Sequence, residues 1–542
     1  MFLLLFFTAT MTESIAQQKT GSKKNQPAPS KPKLIVGLVI DQMRWDYLYR
    51  YKELYGRGGF NRLMNEGFSC ENTMITHLPT YTAVGHTGIY TGSFPSIHGI
   101  VGNNWYDKKS GKNVYCTDDS SVSSVGSNSS AGKMSPKNML AGTITDELRL
   151  SSNFKSKVIG ISLKDRGAIL PAGHSANAAY WYDESVGSWI SSTYYMNALP
   201  TWVNDYNVKE RPDVYFTSPW NTLLPIEQYT MSSKDHVTYE GSIPGEKSDS
   251  FPHRLDLIKD EKYKALRYTP FGNTYTLNFA KASIVNEKLG KNDATDFLAV
   301  SLSSPDYIGH VFGPNSVEAQ DNYLRLDREL SDFINYLDAQ IGKGNYLIFL
   351  SADHGVSHVP GFLREHRIPA GSINPRDLVK ELNDSVEARY GIKKAILKID
   401  NSQLYIDENI SGSFSDIKEF IAGLLNKKDY VLHAFDLSET SETNIPSDIK
   451  KRVENSYLPK RSGDIQIIMA PNYFEGEKTG TTHGLWNPYD AHIPLLWYGW
   501  GIVPGKSHRE VHMADIAPTL AALLSIQMPS GCLGKVIEEV IK

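Results

Sequence analysis

The sequence predicts an α/β protein with a doubly wound, mainly parallel central sheet and insertions over the face that carries its chemistry. Three observations lead there: apolar, β-branched runs that stop abruptly at acidic residues, a periodic helix between two of them, and a shared chemistry at the points where the runs stop. KLIVGLVI (33–40) ends at Asp41, DFLAVSLSS (296–304) at Pro305-Asp306, and NYLIFLSA (345–352) at Asp353-His354. HIPLLWYG (492–499) follows a loop that carries His483. Runs apolar on both faces suit parallel strands buried beneath helices. Between the second and third runs, residues 317–341 set Tyr323, Leu326, Leu330, Phe333, Leu337 and Ile341 at helical spacing, with Gly342 as a stop. Asp515 is placed to cap a last helix, IAPTLAALL, with Pro518 in its first turn. In open sheets of this kind ligands bind beyond the carboxyl ends of the strands.

Length and composition frame this fold. The chain has 542 residues, 40% hydrophobic and 21% charged, enough for a large core with insertions. Its net charge of −4 argues against a polyanion-binding surface, so nucleic acid is not an expected partner. MFLLLFFTATMTESIAQQ has an apolar run and a small-x-small pattern, read as a signal peptide over residues 1–16 and hence a secreted or periplasmic protein. The run is too short to span a membrane, and no later segment is long and apolar enough to do so. Residues 17–32 are basic, polar and proline-rich, a flexible linker ahead of a catalytic domain at 33–542. Two stretches depart from the strand–helix alternation. The aromatic one at about 175–245 is read as an insertion over the active-site face, acting as a lid or as packing; the one at about 370–465 has a small α+β character. Three cysteines allow one disulfide, and Cys70 and Cys116 are either that pair or two buried thiols.

The strand ends bring together Asp41, Asp306 with His310, Asp353 with His354, and His483. Carboxylate and imidazole are the ligands of hydrolytic zinc sites, and three per ion leave positions open for chemistry. Six such residues divide between two ions, which can clamp the attacking and leaving oxygens of an in-line displacement. A threonine hydroxyl on one ion then becomes a usable nucleophile. HLPTYTAVGHTGIYTG (77–92) is rich in threonine, and its residues alone do not say which hydroxyl is used.

These motifs, GLVIDQMRWDYL, LPTYTAVGHTGIYTG, SLKDRGAI, SSPDYIGHVFGP, LSADHGVSHVPG and GTTHGLWNPYDAHIPLLWYG, together resemble the alkaline phosphatase superfamily over nearly the whole mature chain. Within it they are most similar to the secreted, phosphate-irrepressible monomeric alkaline phosphatases of Bacteroidetes-type bacteria. The resemblance implies an alkaline phosphatase-like fold and two Zn2+ per chain, one held by Asp306, His310 and His483, the other by Asp41, Asp353 and His354. It implies Thr82, three residues after Pro79, as nucleophile and fourth ligand of the second ion. It further implies that Asn103, Lys164 and Arg166 hold the phosphoryl oxygens. The expected reaction is hydrolysis of small phosphate monoesters through a phosphothreonine by a monomeric enzyme. A nucleotide pyrophosphatase/phosphodiesterase of the same superfamily is the nearer rival; a non-catalytic binding protein with this fold is the rival from another class. His86 is read as structural, and His358 as either an outer partner of a ligand or a surface residue.

Overall fold

The four apolar runs are strands of one sheet: Leu34–Ile40, Asp296–Leu302, Tyr346–Ser351 and Leu495–Gly499. The first three are buried at every position, which requires cover on both faces. This computed structural model describes residues 31–541 except 411 and 477. The signal peptide and nearly all of the linker read from the sequence lie outside the described residues.

Among the described residues the main sheet is mixed and eleven-stranded. Five neighbouring strands at its centre are parallel, in the order Tyr346–Ser351, Leu34–Ile40, Asp296–Leu302, Val158–Ser162 and Ala178–Asp183. Leu495–Gly499 departs from expectation, because it runs antiparallel to Tyr346–Ser351. A run apolar on both faces records burial and not direction, so the sequence could not tell the two apart. The consequence is geometric. An antiparallel strand begins at the edge where its parallel neighbours end, so the loop upstream of it, with His483, arrives at that edge. Phe68–Met74 is antiparallel in turn to Leu495–Gly499 and therefore points with the parallel set. The chain leaving it reaches the same edge at Thr82.

The stretch from 175 also differs from expectation. It opens with Ala178–Asp183 and Ser188–Ser192, an antiparallel pair that widens the main sheet rather than covering a face. Their aromatic side chains pack: Trp189 is fully buried and stacks on Phe279 and Tyr275 of helix Phe271–Asn286, at 4.5 and 5.2 Å between centroids. A hairpin has no crossover helix, which is why the alternation fails there. Further on, Ser233 N donates to Asn315 O (2.7 Å) and Gly241 N to Val311 O (3.0 Å), strapping this segment to the chain after His310.

Residues 375–469 form a second, four-stranded sheet, Ile396–Asp400, Gln403–Ile406, Ile465–Met469 and Val431–Asp436, with helices Pro375–Tyr390 and Phe414–Leu425 and an apolar core of their own. The helix expected at 317–341 runs Val317–Leu337 and closes in a wider turn through Gly342. Asp515 does not cap helix Ile516–Leu524 through its side chain. Its carboxylate instead accepts from His512 N (2.8 Å) and Lys535 N (2.7 Å), pinning the C-terminal segment. Cys70 and Cys116 are free, and burial pushes both thiols up to about 12.

Candidate metal centre

Four adjacent parallel strands end at one edge, and each delivers a charged side chain there. Asp353, Asp41, Asp306 and Lys164 follow Tyr346–Ser351, Leu34–Ile40, Asp296–Leu302 and Val158–Ser162 in that spatial order. PDYIGH lies within helix Ser304–Phe312. Pro305 suits a first turn, and four-residue spacing puts Asp306 and His310 on one face. His310 Nε2 lies 3.1 Å from Asp306 Oδ1, and His483 Nε2 lies 3.5 Å from the same oxygen. His354 Nε2 is 3.4 Å from Asp353 Oδ2 and 3.6 Å from Asp41 Oδ1, and its ring stacks on that of His483 at 3.5 Å. Thr82 opens helix Thr82–Thr91, with Oγ1 3.4 Å from His354 Nε2 and 3.5 Å from Lys164 Nζ.

The donor set fits divalent cations by its protonation and its unpartnered atoms. His310, His483 and His354 each direct Nδ1 at a backbone carbonyl, of Thr481 (2.8 Å), Thr80 (2.7 Å) and Gly355 (2.9 Å). A carbonyl only accepts, so Nδ1 carries a proton in each ring, and each Nε2 faces the cluster, where it offers a lone pair whenever the ring is neutral. Asp41 Oδ1 and Asp353 Oδ2 are buried without a hydrogen-bond partner, which is costly unless a cation meets them. One set of mutually close ligand atoms comprises Asp306, His310 and His483, and another Asp41, Asp306 and His354. Nitrogen and oxygen donors of this kind suit zinc and its neighbours.

Electrostatics point the same way. Lys164 Nζ donates to Asp41 Oδ2 and Asp306 Oδ2, both at 2.6 Å, so one ammonium bridges two buried carboxylates. Burial lowers Lys164, yet Asp306 and Asp41 hold it above the usual lysine range. Burial raises Asp306, but His310 and Lys164 outweigh it and hold the carboxyl well below its ordinary value. The charge deficit falls on Asp41, pushed well up by burial and by Asp353. Burial drives His354 down to about 3 and lowers His483, keeping both rings neutral as ligands must be. At His310 burial is outweighed by the Asp306 carboxylate, which raises the ring, so that a cation there must displace its second proton.

Around the cluster the expected residues divide. Asn103 Oδ1 accepts from Ala83 N (2.9 Å), beside Thr82, whereas the neighbouring Asn104 is exposed. Arg166, in the first turn of helix Asp165–Ala172, donates from Nη1 to Tyr115 OH (3.1 Å), and its buried Nε has no partner. Thr87 and Thr91 bond back to the carbonyls of Ala83 and Thr87 within their helix. Thr80 is a scaffold for the His483 loop: its hydroxyl donates to Leu485 O (3.1 Å) and accepts from Gly484 N (3.0 Å). His86 donates from Nδ1 to Thr82 O (2.8 Å), lies 3.2 Å from Asp353 Oδ2, and meets Ser301 Oγ through Nε2 at 2.9 Å. His358 pairs with Asn315 Oδ1 (2.6 Å) and Arg44 (3.1 Å) and bonds to none of the cluster. The sequence reading passed over Gln42, Tyr115 and Asp165. Only the adjacency of Gln42 to Asp41 and of Asp165 to Lys164 and Arg166 offered a signal, and Tyr115 had none.

Comparison with known proteins agrees with this geometry. The profile of the type I phosphodiesterase / nucleotide pyrophosphatase family matches residues 35–490. Alkaline phosphatase PhoV of Synechococcus elongatus is 51% identical over 100% of this chain and 99% of its own length. Alkaline phosphatase PafA of Elizabethkingia meningoseptica is 52% identical over 96% of each chain. A crystal structure of wild-type PafA superposes with a TM-score of 0.93, at 52% identity, covering 95% of this chain and 100% of the other. The chain therefore belongs to the type I phosphodiesterase / nucleotide pyrophosphatase family, within the alkaline phosphatase superfamily, and is an enzyme of the alkaline phosphatase kind.

Proposed function

We propose that this enzyme hydrolyses small phosphate monoesters at two zinc ions through a phosphothreonine formed on Thr82. The observation that most supports it is Asp41 Oδ1, buried without a hydrogen-bond partner 3.6 Å from His354 Nε2, with Asp353 Oδ2 3.4 Å from the same ring nitrogen. In this reading Asp306, His310 and His483 hold one ion, and Asp41, Asp353 and His354 hold the other with Thr82. When bound, the ions supply the positive charge that ionises a hydroxyl near neutral pH and stabilises a departing oxygen.

The chain's own groups do the rest. Thr82 Oγ1 stands at the first position of its helix, where backbone N–H groups and the helix dipole favour a phosphoryl group. It attacks phosphorus, the alcohol leaves, and water cleaves the phosphothreonine to return the hydroxyl. Lys164, Arg166 and Asn103 hold the non-bridging oxygens, where preorganised donors act most strongly on the transition state. Asn103 already accepts from Ala83 N through Oδ1, which leaves its Nδ2 donors for substrate. Two cationic side chains match the two charges of a monoester, and a guanidinium can grip two oxygens at once.

The reading includes a secreted or periplasmic monomer. The apolar leader and the likeness to monomeric secreted phosphatases support it, and no described helix is long and apolar enough to cross a membrane. A phosphodiesterase reading has one observation behind it, the description of the matching family. Rates on an aryl monoester and on its methyl diester at equal concentration separate the two, with the monoester expected to dominate. Metal analysis by mass spectrometry, paired with monoesterase assays before and after chelation, tests the cations. Two zinc ions per chain and activity restored by zinc are expected; undiminished turnover after complete metal removal contradicts the reading.

A further inference from the structure

The geometry points to Gln42 as a positioning residue that ties the two cation sites together, an inference that rests on the two-ion reading above. Gln42 follows Asp41, is 2% exposed, and reaches both halves of the cluster. Its side-chain Nε2 donates to Asp306 Oδ1 at 2.6 Å, the oxygen that also faces His310 and His483. Its backbone N donates to Asp353 Oδ1 at 3.1 Å, which leaves Asp353 Oδ2 as the unpartnered oxygen. One residue thus orients a carboxylate in each site, and in each case the oxygen it grips fixes where the other oxygen points.

Two features show that the surroundings are built around this side chain. Gln42 holds φ at +67°, a left-handed conformation that L residues adopt at a cost and keep only where neighbours enforce it. That turn follows the end of strand Leu34–Ile40, and from it the side chain reaches the Asp306 helix. On that helix Gly309 gives the amide its room: a Cβ there would stand 1.8 Å from Gln42 Oε1. Asp306, Gly309 and His310 therefore form one helix face shaped to receive the amide. Removing the amide leaves Asp306 held through Oδ2 by Lys164 and loosens Oδ1, the oxygen that faces His310 and His483. The backbone bond to Asp353 is untouched by the same change. The two sites are accordingly expected to respond unequally.

The test replaces the donor while keeping its shape. Gln42→Met retains the length of the side chain and loses the N–H, and thermal melting checks that it folds. With bound zinc counted by mass spectrometry against graded chelator, the wild type is expected to release two ions. In Gln42→Met one of the two release steps should move to about 10- to 100-fold lower chelator, the usual effect of losing an outer partner of a metal ligand. The other step should stay in place. Gly309→Ala, which crowds the amide out, should repeat the shift. In a His310→Ala background, which already cripples the first site, Gln42→Met should add nothing to release of the remaining ion. Two ions released as in the wild type, or both steps shifted equally, would overturn the role of Gln42 and leave the two-ion reading intact. A wild type that binds no divalent cation would overturn both.

Discussion

The two halves of the cluster are built from the same ligand types but set differently in the fold. Around His354 the half is sealed: the side chains of Asp41, Asp353, His354 and His86 are all at 0% exposure. It lies against helix Thr82–Thr91 so closely that a Cβ on Gly85 would stand 2.2 Å from Asp353 O. The half around His310 is open on one side: Asp306 and His483 are 4% exposed, but the His310 side chain is 33% exposed, on a helix and beside a loop. Solvent therefore reaches the His310 side of the cluster and not the His354 side. In the proposed reaction Thr82 stands beside the sealed half, and the alcohol leaves on the side where His310 meets solvent.

Thr82→Ala should have the largest effect, lowering turnover by about 10⁴-fold or more, as loss of a nucleophile does elsewhere, with metal content unchanged. Steady-state assay beside metal analysis checks both parts, and wild-type-like rates would remove the sealed half's claimed role. Next come the ligands themselves. His354→Ala should cost more than about 100-fold and resist rescue, because its side chain is fully buried, away from the solvent that would deliver zinc. His310→Ala should recover substantially when excess zinc is added to the assay. Equal rescue of both variants would erase the distinction between the halves.

Arg166→Ala belongs to neither half and should lower monoester turnover by about 10²–10³-fold, with a smaller loss on the methyl diester. Equal losses on both substrates would make Arg166 a structural residue. The smallest effect concerns the brace behind the open half. His253 contacts Phe312 at the end of the His310 helix and bonds to Glu246 (2.9 Å) and Glu318 (3.2 Å). Burial lowers its pKa, but the two glutamates outweigh that and raise it to about 9 from 6.5. A raised folded-state pKa stabilises the protonated fold, so the contribution is complete below pH 6.5 and fades as pH rises through about 9. His253→Gln should melt about 1–3 °C below the wild type at neutral pH, and the gap should close above pH 9. A gap unchanged with pH would place the stabilisation elsewhere.

How much of this was legible in the sequence follows from what each signal encodes. Strands Leu34–Ile40, Asp296–Leu302 and Tyr346–Ser351 were visible because burial on both faces leaves an unbroken apolar run, and the residue that ends such a run is polar. Strand direction leaves no such mark. His483 precedes its strand, a position that would have put it at the far edge of a parallel sheet, and the antiparallel Leu495–Gly499 is what brings it to the cluster. Asp306 and His310 were recognised as a pair although the helix that makes their spacing meaningful was not. The strands at 178 and 192 were hidden because their aromatic residues pack in a hairpin that lacks the expected crossover helix. Beyond its adjacency to Asp41, nothing in the sequence marks Gln42, since a positive φ and a contact 264 residues along the chain exist only once the fold does. Thr82 was singled out by resemblance, and its place at the first position of a helix beside His354 supplies the physical reason.

The central claim is that Thr82 carries the phosphoryl group between substrate and water. Mixing the zinc-loaded enzyme with a phosphate monoester, quenching in acid during turnover and mapping the digested peptides by mass spectrometry tests it directly. Phosphate on the peptide that contains Thr82, absent from Thr82→Ala, is the predicted result. Phosphate on another residue, or full turnover with no phosphorylated peptide at any quench time, would contradict it.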